Sequence, residues 1–287
     1  MAITATMVRE LREMTGAAMM DCKKALDATA GDMDAAVDHL RKAGLKTAAK
    51  KAGRETSEGR VAVALGADGR SGSIVAVRCE TDFVANTPDF EQMMEDFTAT
   101  AMGVDLPAGE AAAEAFTAAK MSDGQTVAER LSQVIGKLGE NMGIGGAAHF
   151  ENAGGCVGGY VHHNNTIGAL ASVTTTADAA KASALTKQLC QHISVFKPTY
   201  LNREAVPAES IERERAVIAE SDDVKKKPAE FQEKIVTGKL ERFFAENCLL
   251  EQGWMLDDKQ KVAKVLEAEL GSGSTVAGFA MFTVKDN

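Results

Sequence analysis

The chain has 287 residues and a net charge of −9, with 45% apolar and 25% charged side chains, the profile of a globular protein large enough for more than one core. An acidic balance argues against a generic nucleic-acid binder, which needs a basic excess. Five scattered cysteines in no CxxC pair argue against a disulfide framework or a zinc site of ordinary spacing.

No stretch approaches the roughly 18 consecutive apolar residues of a membrane helix. The N-terminus "MAITATMVRELREM" turns charged too early for a secretory signal, so a cytoplasmic protein with reduced thiols is expected. The charge is uneven. Residues 1–56 hold ten Lys/Arg against eight Asp/Glu, leaving −11 in the remainder.

Three short helices are predicted first. Thr4 caps a helix with Val8, Leu11 and Met14 on one face, ended by Gly16. "AMMDCKKALDAT" forms the second, stopped at Gly31, and Asp32 caps a third in which Met33, Val37, Leu40 and Gly44 recur at helical spacing. The basic stretch "LKTAAKKAGRE" reads as a tether after this module.

Two strand signals follow, "RVAVAL" and "SIVAVRC", with "GADGRSG" between them as a hairpin turn. Phe90, Met94, Phe97 and Ala101 mark a helix; "GVDLPAGEAAAEA" reads as loop and weak helix; Val127, Leu131, Val134 and Leu138 mark another helix. The glycine-punctuated segment "NMGIGGAAHFENAGGCVGGYVHHNNTIGALASVTTT" reads as three strands of a second sheet. A helix with Leu185, Leu189, Ile193 and Phe196 on one face comes next. Sheet followed by helix thus occurs twice, which predicts two related halves of one α+β core.

Residues 208–221 and 229–248 are charged helices with sparse apolar stripes, joined across "SDDVKKKP", and suit an antiparallel hairpin that projects from the body. "GWML", a helix with Val262, Leu266 and Leu270, and a last strand "TVAGFAMFTV" then return the chain to the second sheet.

No catalytic constellation emerges. Adjacent His162 and His163 on an extended chain face opposite ways, and no third metal ligand is evident. Cys79 in an apolar strand has no activating partner. The glycines of "GIGGAAHFENAGGCVGG" match neither a phosphate-binding loop nor a dinucleotide fingerprint, and read as turns and bulges. Neither an enzyme nor a cofactor is expected.

What remains is "CETDFVAN". Asp82 and Phe83 admit two readings: a helix cap beside a core ring, or an exposed tip in which the ring anchors in a partner's pocket and the carboxylate disturbs something charged.

At these residues the chain resembles the bacterial translation elongation factor Ts family. "VRELREMTGAAMMDCKKALDATAGDMDAAVDHLRKAG" is similar to the family's opening signature, "CETDFVAN" to its second, "LGENM" to a third and "GYVHHNNTIGAL" to a weaker fourth. The four occur in the family's order, and the resemblance runs from residue 3 to about 284.

The resemblance implies a nucleotide exchange factor for the GTPase elongation factor Tu, engaging its GDP-bound and nucleotide-free forms. It implies a ubiquitin-associated-like domain over 1–54, core subdomains over 56–140 and over 141–180 with 249–287, and an inserted helical hairpin over 181–248 that in the family either mediates self-association or projects. Thr81, Asp82, Phe83 and Val84 match the family segment implicated in dislodging Mg²⁺ from the GTPase. Lys23, Leu138, Gly139, His162, Met255 and Leu256 match partner-binding positions, although Leu138 also fits the buried face of its own helix.

Thr166 stands where the family often has Arg, which leaves the geometry around His162 open. Some members continue past the last strand into a helix that docks on the GTPase, so weaker affinity is expected of a chain ending at Asn287. Two readings of other classes compete: an adaptor that uses the three-helix module only for docking, and an RNA-binding protein that uses Lys46 to Arg54.

Overall fold

The computed structural model describes residues 3–107, 109 and 111–285. Residues 1, 2, 286 and 287, the outermost of the expected first and last domains, lie outside the described residues. So do 108 and 110 within the expected loop and weak helix.

Helix α1 spans Ala5–Thr15; the Thr4 hydroxyl accepts from the Met7 N–H at 3.2 Å, and Gly16 ends the helix at φ 66°. Helices α2 (Met19–Ala28) and α3 (Met33–Lys51) complete the module, with Asp32 accepting from the Ala35 N–H at 3.0 Å. Val8, Leu11, Cys22, Ala25, Leu26 and Ala36 form its small core. Met14, expected on the same stripe, lies outside it and lines the cleft facing the body.

The supposed tether is mostly helix, because α3 continues through its basic second half to Lys51. That half packs against α7 (Val127–Leu138), where Gly44 and Gly136 allow a close crossing: a Cβ on Gly44 would lie 3.3 Å from the Ser132 carbonyl oxygen. An ion pair between Arg41 and Glu129 at 2.8 Å joins the same helices.

Two three-stranded antiparallel sheets make the body. The first has the order β1 (Glu58–Leu65), β2 (Ser71–Cys79), β3 (Met142–Glu151). The second has β4 (Gly155–Val161), β5 (Ile167–Thr174), β8 (Thr275–Thr283). The last strand therefore joins the second sheet as its pattern predicts. The three strands after Asn141 do not stay together, however. β3 pairs with β2 along its whole length, from Ser71↔Glu151 to Cys79↔Met142. Strand signals alone do not specify a pairing partner, and here a strand distant in sequence completes the first sheet.

The sheets face each other across Val61, Ile74, Ala76, Val157, Leu170 and Val284. Helices cover their outer faces: α5 (Pro88–Ala101), α6 (Ala111–Ala118) and α7 on the first, α8 (Ala179–Phe196) and α12 (Val262–Leu270) on the second. Period-2 alternation explains this division, since Ile74 and Ala76 point between the sheets while Val75, Val77 and Cys79 point to the helices. The glycines read as turns and bulges include Gly146 and Gly159 within strands. A Cβ on Gly146 would come within 2.5 Å of the Phe282 ring, and one on Gly159 within 2.5 Å of Val63, so their bareness permits the close approach of the two sheets.

Helices α9 (Ala208–Glu220) and α11 (Ala229–Asn247) form the expected hairpin, with a short α10 (Asp222–Lys225) in the connection. Ile218, Val224 and Val236 make a small cluster within it. The range 181–248 includes most of α8, yet Leu185, Leu189 and Ile193 of that helix pack on the second sheet, so α8 belongs to the body. Phe196, expected on the same buried face, is 47% exposed at the helix end and stacks on His192.

His192 is fully buried between the rings of Phe196 and Trp254. Its Nε2 bonds Gln252 at 3.0 Å, while Nδ1 has no partner among the described residues. Burial pushes its pKa below the ordinary histidine value. The folded state thus resists a proton that the unfolded chain takes up below about pH 6.5. This contribution to stability is complete above that pH and lost as pH falls below it. Urea midpoints at about pH 7.5 and 5.5 should show a smaller acid-side loss in His192→Gln than in the parent.

Candidate partner-binding site

Strand β2 ends at Cys79, and the chain passes through Glu80 and Thr81 into a single helical turn, α4 (Asp82–Ala85). Thr81 caps this turn, its hydroxyl facing the Val84 N–H at 3.4 Å. Four residues of helix have little stability of their own, so their placement comes from what holds either end. At the C-terminal end, Ala85 is buried, Val84 packs on the first core, and the Asn86 side-chain amide donates to the Asp82 carbonyl at 2.7 Å. Arg60 of β1 reaches Asn86 at 2.6 Å and Glu91 at 2.9 Å.

The consequence for the central pair is clear. Phe83 is 83% exposed, the most exposed large apolar side chain among the described residues. Asp82 is also exposed, and no ion pair occupies its carboxylate among the described residues. Neither half of the inward reading holds, because Thr81 is the cap and Ala85 and Val84 supply the inward contacts.

Gly139 closes α7 in the left-handed conformation at φ 79°, and the following Glu140 and Asn141 lie against residues 80 and 81. The Glu140 carboxylate accepts from the Thr81 N–H at 3.0 Å and the Thr81 hydroxyl at 2.6 Å. Glu80 accepts from the Asn141 N–H at 2.6 Å and pairs with Arg54 at 3.3 Å. That backbone bond first, then the Arg54 charge, holds the Glu80 carboxyl below the usual carboxylate range.

The Asn141 side chain donates to the Arg54 carbonyl at 2.7 Å, and Lys51 donates to the Gly139 carbonyl. The end of α3 is therefore tied to the same crossing. Glu80, Glu140 and Asn141 are not among the residues the sequence singles out, and Lys51 and Arg54 enter it only within the basic segment Lys46 to Arg54. Glu80, Glu140 and Asn141 stand inside the quoted motifs "CETDFVAN" and "LGENM", and one acid within each motif is the available signal.

The other expected residues are dispersed. Leu138 is half-buried and packs on the first core, beside exposed Gly139. Lys23 is exposed on α2. His162 lies just past β4, its Nδ1 2.9 Å from the Tyr160 hydroxyl. The His162 and His163 rings are 4.2 Å apart rather than on opposite faces, because the strand has ended and a turn carries them. Met255 and Leu256 form the tip between β6 (Gly253–Trp254) and β7 (Asp257–Lys261), Met255 half-buried and Leu256 67% exposed. Only Thr81–Val84 and Leu138–Gly139 are brought together by the contacts described.

Cys79 is buried beneath the turn, its thiol donating to the Thr81 carbonyl at 3.1 Å. Burial first, then the Glu140 charge, pushes its pKa up to about 12. A thiol so protonated is not a nucleophile. Iodoacetamide at about pH 8 should leave Cys79 unmodified in the native protein and alkylate it in denaturant, as peptide mass mapping would read. Among the described residues no group of three or more His, Cys, Asp or Glu side chains could hold a metal ion. None of their helices is long and apolar enough to cross a membrane.

The family profile described as "Elongation factor TS" matches residues 80–286, a span containing both halves of the braced turn. Elongation factor Ts of Paramagnetospirillum magneticum is 40% identical over 292 residues, covering 98% of this chain and 91% of that protein. Elongation factor Ts of Gluconobacter oxydans is 42% identical over 287 residues, with 98% and 91% covered. That of Clostridium perfringens is 38% identical over 283 residues, with 98% and 92% covered. Identity at this level across nearly all of both chains, with the turn, its brace and the two sheets in place, means that the chain belongs to the elongation factor Ts family.

Proposed function

We propose that this chain is a guanine nucleotide exchange factor for elongation factor Tu in the cytoplasm, and that the Thr81–Val84 turn acts by dislodging Mg²⁺ from the GTPase. Family membership supports the exchange role. The observation that carries the mechanism is Phe83, 83% exposed on a turn braced at both ends.

A GTPase holds GDP through backbone amides, a lysine and a Mg²⁺ that bridges phosphate oxygens. An exchange factor breaks no covalent bond. It stabilises the nucleotide-free conformation, and linkage then makes factor and nucleotide weaken each other reciprocally. A 10⁴-fold shift needs about 5.5 kcal/mol of differential binding. Phe83 acts as a wedge that displaces a segment near the metal, and Asp82 perturbs the charges around the ion. Burial of one such ring supplies about 2 kcal/mol or more as a hot spot.

Lys23, Leu138, Gly139, His162, Met255 and Leu256 supply the wider contact that keeps the factor bound as GDP departs. Residues 1–54, the two core subdomains and the hairpin would then serve as gripping, intruding and projecting units, with the hairpin available for self-association. The deciding experiment follows fluorescent GDP leaving elongation factor Tu with and without this protein. Tight binding with no acceleration of release would support an adaptor instead.

A further inference from the structure

We propose that Glu140 is a positioning residue for the Asp82–Phe83 tip. The proposal rests on the exchange reading above and goes beyond it, since Glu140 itself is half-buried and lies behind the tip. The ladder between β2 and β3 stops at Cys79↔Met142. One residue further on, side chains replace backbone pairing in a reciprocal exchange. Glu80 accepts the Asn141 N–H at 2.6 Å, and Glu140 accepts the Thr81 N–H at 3.0 Å. Each strand end thus supplies a carboxylate for the backbone of the other, and bonds to an ionised acceptor are the stronger kind.

Glu140 does a second thing. Its carboxylate accepts a hydrogen bond from the Thr81 hydroxyl at 2.6 Å, which commits that rotor and leaves the oxygen lone pairs to the Val84 N–H at 3.4 Å. The cap on α4 is long and weak by itself, so fixing its orientation matters. Without Glu140, the Thr81 N–H loses its partner and the hydroxyl turns freely. The start of the turn then keeps only the Cys79 thiol on the Thr81 carbonyl, while the Asn86 and Arg60 contacts at its other end persist.

A loosened Phe83 still reaches a partner, but ordering it at the moment of binding subtracts from the binding energy it contributes. The loss falls on the conformation that the tip stabilises. Contacts at Lys23 or Leu256, on other elements, do not depend on Glu140. The tie from Lys51 and Arg54 to the same crossing extends the brace to α3.

The test compares the full-length parent, Glu140→Gln and Glu140→Ala with elongation factor Tu carrying fluorescent GDP, across factor concentrations. At saturating factor the release rate should fall about tenfold for Glu140→Ala, equivalent to about 1.4 kcal/mol. The fall should be smaller for Glu140→Gln, which retains one acceptor oxygen. The half-saturating concentration should stay within about twofold, because tenfold changes need about 1.4 kcal/mol of lost contact.

Amide hydrogen exchange of the free protein should quicken across Val84–Asn86 in both variants. A parental maximal rate in Glu140→Ala, or a loss confined to the half-saturating concentration, would overturn the positioning role. If Glu140→Ala fails to fold, Glu140→Gln decides by the same two readouts. A parent protein with no effect on GDP release would overturn the exchange reading, and unchanged amide exchange in the variants would overturn the brace independently.

Discussion

Phe83→Ala should slow GDP release from elongation factor Tu by roughly 30-fold at saturating factor, the equivalent of about 2 kcal/mol of hot-spot energy. The melting temperature should not move, because a ring that is 83% exposed contributes almost nothing to its own core. Asp82→Ala should slow release as well, through charge rather than shape, and the double variant should be slower than either. Neighbouring positions on one turn act on the same bound state, so their effects need not add. Stopped-flow release, paired with a thermal melt of each variant, checks both halves. Parental release rates in the double variant would refute the intrusion mechanism.

Phe97→Ala should have the opposite signature. Phe97 is fully buried on α5 and meets Phe116 of α6 edge-on, with ring centroids 5.9 Å apart at 89°. Truncation removes that contact and leaves a cavity in the core on which Val84 and Leu138 also pack. The expected cost is about 3–5 kcal/mol, a large fraction of the stability of a typical domain. Urea denaturation should show the midpoint falling, with the slope unchanged if unfolding remains two-state. Exchange activity would decline with the population of folded protein. One phenylalanine is thus predicted to matter for release and not for folding, the other for folding first.

Much of the contrast was legible beforehand. The helix stop signal at Gly16 and the cap signals at Thr4 and Asp32 are local chemistry, and the structure carries each of them. The stripe of Phe90, Met94, Phe97 and Ala101 is buried as its spacing requires. The stripes fail at their ends. Met14 and Phe196 continue a periodic pattern, but the surface available to cover them does not continue with it.

Strand identity was also legible, whereas strand partnership was not. β3 lies far along the chain from β2, and nothing in its alternation says that it leaves β4 and β5 for the first sheet.

The candidate site divides along the same line. "CETDFVAN" and "LGENM" are recognisable as separate motifs, and with the other two they identify the family. That one braces the other is invisible until β2 and β3 pair, since the hydrogen bonds that Thr81 donates to Glu140 span 59 positions.

The amino-acid order alone determined most of the helices and strands and the family, because caps, periodicity and motif spacing act over a few residues. Tertiary structure decided which way Phe83 points and what holds it there. Exposure is a property of the packed surface, and a residue's neighbours across a sheet are chosen by the fold as a whole.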